Sequence, residues 1–540
     1  MNPISRSSLI TVGARFLLVL LITHLPLLWL AAARAATPPA GFALVGTIEQ
    51  FTLDAPNDQK SAATIRVRGV DVLLPRNLVI TMPGGFVTAQ QLFRGRDFGP
   101  TVDPRVSGLA LTDPLPAGAA DCPATPEFAG RRCPLPAAEA EVSGNIVDGR
   151  YIAGLASISH GSINIGGGFI RSIDRATGTL TVGADQSSGA TVRLRLNDPE
   201  GIYGAKAVGS DLRFALDPGN SPITTISGFP VCIPRSANDA LCPNGNRPGA
   251  AAANFRRFTC GQVAVDVTAP PHPACRAHLP VPLREGDYVH FLGALDKDAQ
   301  GYFYSLHGLE AELGVYTSPG VDPAYVRVEE ALEGTLGERF VDIPQEETSR
   351  FKLIGFTTDP SRTIAVEIFD DDTDSGRLDP VLPPSPLATK IVPTNRAQLG
   401  RFKMIWDAKE DARIVRRMVR VTLSRGTVES ADRFKPGAES VDLSLPGASR
   451  RGGYTFGRYE APISEYISPE ATRFGVKGYQ PPINFENFCF LKRTNSVETQ
   501  EPHPGDPRRY WPIEIEPLDP SPAARSQSQL RADGTRVCAD

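Results

Sequence analysis

Apolar and polar residues alternate with a period of two along much of this chain. Ile65 and Val67 alternate with Arg66 and Arg68 before Gly69, and Val192, Leu194 and Leu196 alternate with Arg193 and Arg195. Charged residues interleaved with apolar ones in this way predict strands of a sheet with one wet face and one buried face. Residues 141–147 and 150–158, separated by Asp148-Gly149, predict a hairpin, because Asp-Gly supplies the positive φ angles that a two-residue turn demands.

Two segments follow one plan. The first takes strand-like stretches at 42–51, 64–74 and 77–82 and closes with the hairpin around Asp148. The second takes 168–174, the turn Ala176-Thr177-Gly178, 179–182 and 190–198, and closes with 287–293 and 301–310. Each supplies about five strands with a long insertion before the last two, a pattern that a five-stranded OB-like barrel accommodates, since closure removes exposed sheet edges while loops extend freely. The expected modules are therefore residues 36–160 and 161–316, with insertions near 83–137 and 203–283.

After the Pro- and Gly-bearing linker at 317–323, stretches at 350–355, 362–370, 401–406 and 413–424 are strand-like. Ile364, Val366 and Ile368 share one face, as do Val419, Val421 and Leu423, which points to an immunoglobulin-like β-sandwich over 324–430. Residues 431–540 are rich in Pro, Gly, Arg and Ser and are expected to form an extended C-terminal strap. The fold class expected is mainly β: tandem OB-like barrels with disulfide-bearing insertions, an immunoglobulin-like sandwich and a strap.

The patterns G-x-I-x-S-I-D near Gly168, T-G-T-L-T-V near Thr177 and G-D-Y-V-x-F-x-G near Gly286, with Tyr151-Ile-Ala-Gly-Leu and Gly228-Phe-Pro-Val-Cys-Ile-Pro-Arg, resemble OB-like modules of uncharacterised secreted bacterial and fungal proteins. The resemblance spans most of 40–490. Its motifs are structural, so it implies a fold and carries no activity.

Composition adds the compartment. Arg6 and Arg15 precede an apolar run at 16–30, which His24 and Pro26 interrupt and which ends in Ala31-Ala-Ala-Arg-Ala-Ala36. That is the order of a secretory signal, with cleavage expected after Ala35 and a signal peptide of residues 1–35. A spanning helix would need ~20 predominantly apolar residues, so no transmembrane helix is expected in the mature chain. Loss of the three signal arginines makes the formal charge, −4 for all 540 residues, more negative still, which gives no general attraction for nucleic acid. Periplasmic or extracellular residence is the expectation.

All eight cysteines, Cys122, Cys133, Cys232, Cys242, Cys260, Cys275, Cys489 and Cys538, follow the signal. An even number in an oxidising compartment reads as disulfides, and no C-x-x-C pair favours zinc. Pairing of sequence neighbours is expected, among the 105 connectivities that eight cysteines allow.

Chemistry is thinly signalled. Asp370, Asp372 and Asp374, ahead of Gly376, place oxygen ligands at alternate positions and suit calcium. An EF-hand begun at Asp370 would nonetheless have Ser375 where Gly is required and Val381 where the bidentate Glu belongs, so a solvated turn is the plainer reading. His290 and His307 lie on the two strands of one expected hairpin, nearly opposite each other, without an evident third ligand. Ser157, His160 and Ser162 are adjacent, but the chain lacks the G-x-S-x-G elbow, and Gly166-Gly167-Gly168 lacks the spacing of a dinucleotide fingerprint. Arg401, Lys403, Lys409, Arg413, Arg416, Arg417, Arg420 and Arg425 make the third module locally basic. No catalytic residue and no cofactor beyond calcium are expected. The function expected is a non-catalytic exported protein that scaffolds or binds an extracellular glycan or envelope polymer. The alternatives are a polysaccharide hydrolase with a carboxylate pair and a calcium-stiffened adhesin.

Overall fold

In the computed structural model, residues 40–58, 61–75, 78–83, 85–113, 138–147, 149–158, 165–217, 222–334, 350–369, 389–391, 400–407, 418–423, 458–462, 465–467, 502–503 and 506–510 are described. The chain is mainly β, and from Ala40 onward its sheets pack as one compact unit.

The first sheet contains β1 (Ala40–Leu53), β2 (Ala63–Val67), β3 (Val70–Leu74), β4 (Val79–Met82), β5 (Gly85–Thr88), β6 (Glu139–Val147) and β7 (Arg150–Ile158), with a one-turn helix at Ala89–Leu92. β1 is long enough to pair with β6 through its first half and with β2 through its second. Parallel pairing of β3 with β7, Val72 opposite Tyr151, closes a five-stranded barrel in the order β1-β2-β3-β7-β6. The alternation at 65–68 is realised directly: Ile65 and Val67 are fully buried. Arg68 and Gly69 both take positive φ in the two-residue turn to β3, while Arg66 pairs outside with Asp71 at 2.7 Å.

The second large sheet repeats that order with β8 (Ile165–Asp174), β9 (Thr179–Gly183), β10 (Thr191–Leu196), β16 (Tyr288–Asp298) and β17 (Gly301–Ala311). Here the closing pair is β10 with β17, Leu194 opposite Tyr304. Register shifts fall at corresponding places, between Ile48 and Gln50 and between Ile170 and Ser172 on the opening strands. A second pair falls at Ser143/Gly144 and Leu292/Gly293. Glycine is required at this second bulge, because a Cβ would collide with the carbonyl of Ile152 in one barrel and come 2.7 Å from that of Ser305 in the other.

In each barrel the insertion falls between the third and fourth strands of the closed set and adds one strand parallel to the last. β4 adds to β7, and β11 (Ile223–Thr225) adds to β17. The 77–82 stretch expected among the five barrel strands therefore supplies an added strand outside the closed set. The second insertion also forms β12 (Val231–Cys232), β13 (Arg257–Cys260), β14 (Pro271–His272) and β15 (Val281–Pro282), and β13 pairs with β18 (Gly314–Thr317). Disulfides join Cys232 to Cys242 and Cys260 to Cys275, the neighbour pairing expected, and such bonds mark an oxidising compartment. Cys122, Cys133, Cys489 and Cys538 lie outside the described residues.

Beyond the linker, two four-stranded sheets face each other. One has the order β23-β20-β19-β26, the other β22-β21-β24-β25. Their ranges are β19 (Val326–Gly334), β20 (Arg350–Thr357), β21 (Thr363–Phe369), β22 (Thr389–Ile391), β23 (Arg401–Asp407), β24 (Met418–Leu423), β25 (Arg458–Pro462) and β26 (Glu465–Ile467). Leu353, Phe402 and Met404 meet Ile364, Val366, Val419, Val421 and Leu423 in one core between them. Val326–Gly334 escaped the sequence reading, and β25 and β26 come from the stretch read as a strap. They join these sheets because their backbone groups find partners on β24 and β19.

The barrels are fastened to each other by a short 3-10 turn, Leu212–Phe214. Phe214 enters the core of the first barrel, and the guanidinium of Arg213, wholly buried, donates to the carbonyls of Leu92 (2.7 Å) and Ser107 (2.6 Å) and to Asp211. Arg96 pairs with Asp296 at 2.7 Å beside this contact. On the other side Tyr325 packs edge-on against Phe229 and donates its hydroxyl to the Ala277 carbonyl at 2.8 Å, joining the second barrel's insertion to β19.

Candidate functional site

Strand alternation exposes one face of the second barrel. On β8 the outward residues are Ile165, Gly167 and Phe169. They stand opposite Leu292, His290 and Tyr288 of β16, and His290 stands opposite Glu310 of β17. The intervening residues Val289, Phe291 and Leu309 turn inward to the core. Ile165 keeps 62% of its surface and Leu292 40%. The side chains of His290 and Glu312 are about half exposed.

The aromatic groups are grouped rather than scattered. Phe169 and Tyr288 meet edge to face with centroids 4.9 Å apart, and Tyr288 and His290 meet at 5.2 Å. Gly167 is what lets them lean together: a Cβ there would lie 2.9 Å from the Tyr288 hydroxyl and 3.2 Å from Nδ1 of His290. Across the face, Nε2 of His290 stands 3.3 Å from Oε1 of Glu312. Beyond Phe169 the neighbouring position on β9 is Gly183, over which Arg171 folds. The guanidinium donates to the carbonyls of Asp185 (2.9 Å) and Gly189 (3.1 Å) and to the Asp185 carboxylate (3.1 Å). Amides of Ser188 and Ser187, with the Ser188 hydroxyl, hold the Asp185 carboxyl down at about 2, so it is ionised at any physiological pH.

The backbone under this face is locked from behind. Asp287, next to Tyr288, is buried and accepts two bonds from the buried Arg247 and one from the amide of Arg284. The Asp287 carbonyl in turn accepts from the amide of Ile170, next to Phe169, at 2.8 Å. One anchored residue thus fixes both aromatic strands.

A second cluster, on β10 and the tip of the β16–β17 hairpin, is a clasp. Arg193 and Arg195 both bond Asp298, at 2.9 Å for the Nη1 of Arg193 and 3.0 Å for Arg195, and Arg195 stacks 4.5 Å above the buried Phe303. The Arg193 hydrogen bond holds the Asp298 carboxyl down at about 2.

The histidines expected to face each other do not. The bulge at Leu292/Gly293 leaves His307 out of the ladder and sets Glu310 opposite His290. Ser157 pairs across from Glu141 in the β6–β7 ladder, while His160 and Ser162 lie outside the described residues. The triple glycine 166–168 is part of β8. Arg401 and Lys403 lie on β23 and Arg420 on β24, opposite Glu367 and Glu460. Lys409, Arg413, Arg416, Arg417 and Arg425 are outside the described residues, as are Asp370, Asp372 and Asp374. Among the described residues no group of three or more His, Cys, Asp or Glu could hold a metal, and no helix is long and apolar enough to cross a membrane.

Phe169, Tyr288, Glu312 and Arg171 were not singled out in the sequence. The alternation of Tyr288, His290 and Leu292 with Val289 and Phe291 marks them as outward, but nothing local pairs them with Phe169, 119 positions earlier. No family model, no curated protein and no solved structure matches the chain.

Proposed function

We propose that this chain is an exported, non-catalytic β protein that binds an extracellular or envelope polymer. The observation that carries the reading is the group of half-buried Phe169 and Tyr288 with exposed His290 and Glu312, held on strands braced by the Arg247–Asp287 pair. Ile165 and Leu292 on the same face are exposed, and clustered exposed apolar surface is a mark of binding sites. A preformed face also binds without first losing entropy to ordering.

The finer assignments belong to the same proposal. The closed barrels correspond to the OB type, whose order and parallel closing pair they share, and the facing four-stranded sheets to the immunoglobulin type. Residues 1–35 act as the signal that delivers the chain to the compartment where its disulfides form.

Cosedimentation of the purified protein with peptidoglycan sacculi and with insoluble extracellular polysaccharide tests the reading. Saturable retention by at least one polymer, without release of reducing sugar, is expected. Retention by none ends the binding proposal, and release of reducing sugar replaces it with the hydrolase.

A further inference from the structure

We infer that the outward face of β8, β16 and β17 is a stacking subsite for an uncharged saccharide ring. This rests on the binding function proposed above and names its surface and its ligand class. A sugar ring has an apolar face of C–H groups and a rim of hydroxyls, and the protein face has the complementary division. Phe169, Tyr288 and His290 supply aromatic surface, extended by the exposed Ile165 and Leu292. Around them stand hydrogen-bonding groups of both kinds: the Glu312 carboxylate accepts, the Tyr288 hydroxyl does either, and the His290 imidazole offers one nitrogen of each kind when neutral.

Charge selects within the glycans. Arg171 is matched by Asp185, Arg327 is matched by Glu310, and Glu312 has only an imidazole beside it. Among these residues no cation stands without a carboxylate partner. A polyanion such as a nucleic acid or an acidic polysaccharide would find no charges from which to release counterions, the gain that drives such binding. A neutral ring loses nothing by that balance.

Glycine makes room for the edge-to-face rings. Gly167 leaves space for Tyr288 and His290 beside Phe169, while across the strands the guanidinium of Arg171 covers Gly183. The anchoring of Asp287 keeps Tyr288 and Phe169 in register without the ligand.

The test is calorimetric titration of the purified protein with three uncharged probes, chitohexaose, cellohexaose and maltohexaose, and two acidic ones, heparin and polygalacturonate. At least one uncharged hexasaccharide binds, with an affinity that salt leaves unchanged. Tyr288→Ala and Phe169→Ala each weaken it ~10-fold, as loss of one stacking platform does, without lowering the melting temperature by more than a few degrees. His290→Ala serves as a third truncation should either fold poorly, and Val267→Ser, an exposed position in the Cys260–Cys275 loop, leaves affinity intact. Uncharged binding that survives the Tyr288, Phe169 and His290 truncations overturns the subsite and leaves the binding function standing. Binding of the acidic probes alone, weakened by salt, overturns the ligand class and again leaves the function. No binding of any probe, together with no retention by sacculi or insoluble polysaccharide, overturns both.

Discussion

The two barrels share a strand order and the places of their bulges, and among the described residues the second adds disulfides and a buried ion pair to the apolar packing that holds both insertions. In the first, the described part of the insertion stays close to the barrel through apolar packing: Leu92, Phe93 and Leu109 are buried in the barrel core, and Asp113 closes a turn by accepting from Ser107, Leu109 and Ala110. In the second, the insertion is fastened by two disulfides and the Arg247–Asp287 pair. It is held further by Asn246, whose amide donates to the carbonyls of Arg276, Leu279 and Pro280. The second insertion also buries Tyr203, Phe229, Val231 and Phe258 in its barrel's core, so these links add to apolar burial rather than replace it. The more heavily linked insertion is the one that backs the strands carrying Phe169 and Tyr288.

The comparison is broken most forcefully at the buried ion pairs. Arg247→Ala leaves Asp287 buried without its main partner and costs about 3–5 kcal/mol. Hydrogen exchange resolved by segment should show lost protection in β8, β16 and the second insertion, with β1–β7 protected. Arg213→Ala is expected to do the reverse of this localisation. It strips the Leu92 and Ser107 carbonyls of their donor, at ~1–3 kcal/mol for each buried group left unpaired, and raises exchange at the junction and in the first barrel. If both variants loosen both barrels equally, the two are one cooperative unit and the contrast is void.

Next come the disulfides. Cys232→Ser with Cys242→Ser, or Cys260→Ser with Cys275→Ser, opens a loop of 10 or 15 residues and should cost roughly 3 kcal/mol in the chain-entropy view. Limited proteolysis should then cut within 203–283 before it cuts either barrel. Cleavage appearing first in the first insertion would show that the links are not what holds the second.

Acid gives a smaller effect. The Asp298 carboxyl is depressed from an ordinary 3.8 to about 2, so its bonds to Arg193 and Arg195 stabilise the fold fully above about pH 5. That contribution fades as pH falls through 4 toward 2, and Asp298→Asn should flatten this part of the stability profile. An unchanged acid limb in the variant would remove the clasp from the account. Smallest of all is the stability effect of Tyr288→Ala, about 1 kcal/mol for the edge-to-face contacts of a half-buried ring. A near-silent melt beside a large loss of binding is what separates the face from the braces behind it.

Much of this architecture is written in local pattern. Period-two alternation located the barrel strands from Ile65 to Leu309, the turn glycines Gly69, Gly149 and Gly178 take the positive φ their positions require, and neighbouring cysteines in the second insertion found each other. All of these depend on residues close in sequence, so a linear reading reaches them. Tertiary structure alone decided the rest. Whether β3 meets β7 and β10 meets β17, and which side chain crosses from His290, depend on register, and the bulge shifts that partner by one position, from Leu309 to Glu310. The platform of Phe169 and Tyr288 exists only because two strands more than a hundred residues apart become neighbours, and contacts of that kind are fixed by closure of the barrel around its core rather than by any motif along the chain.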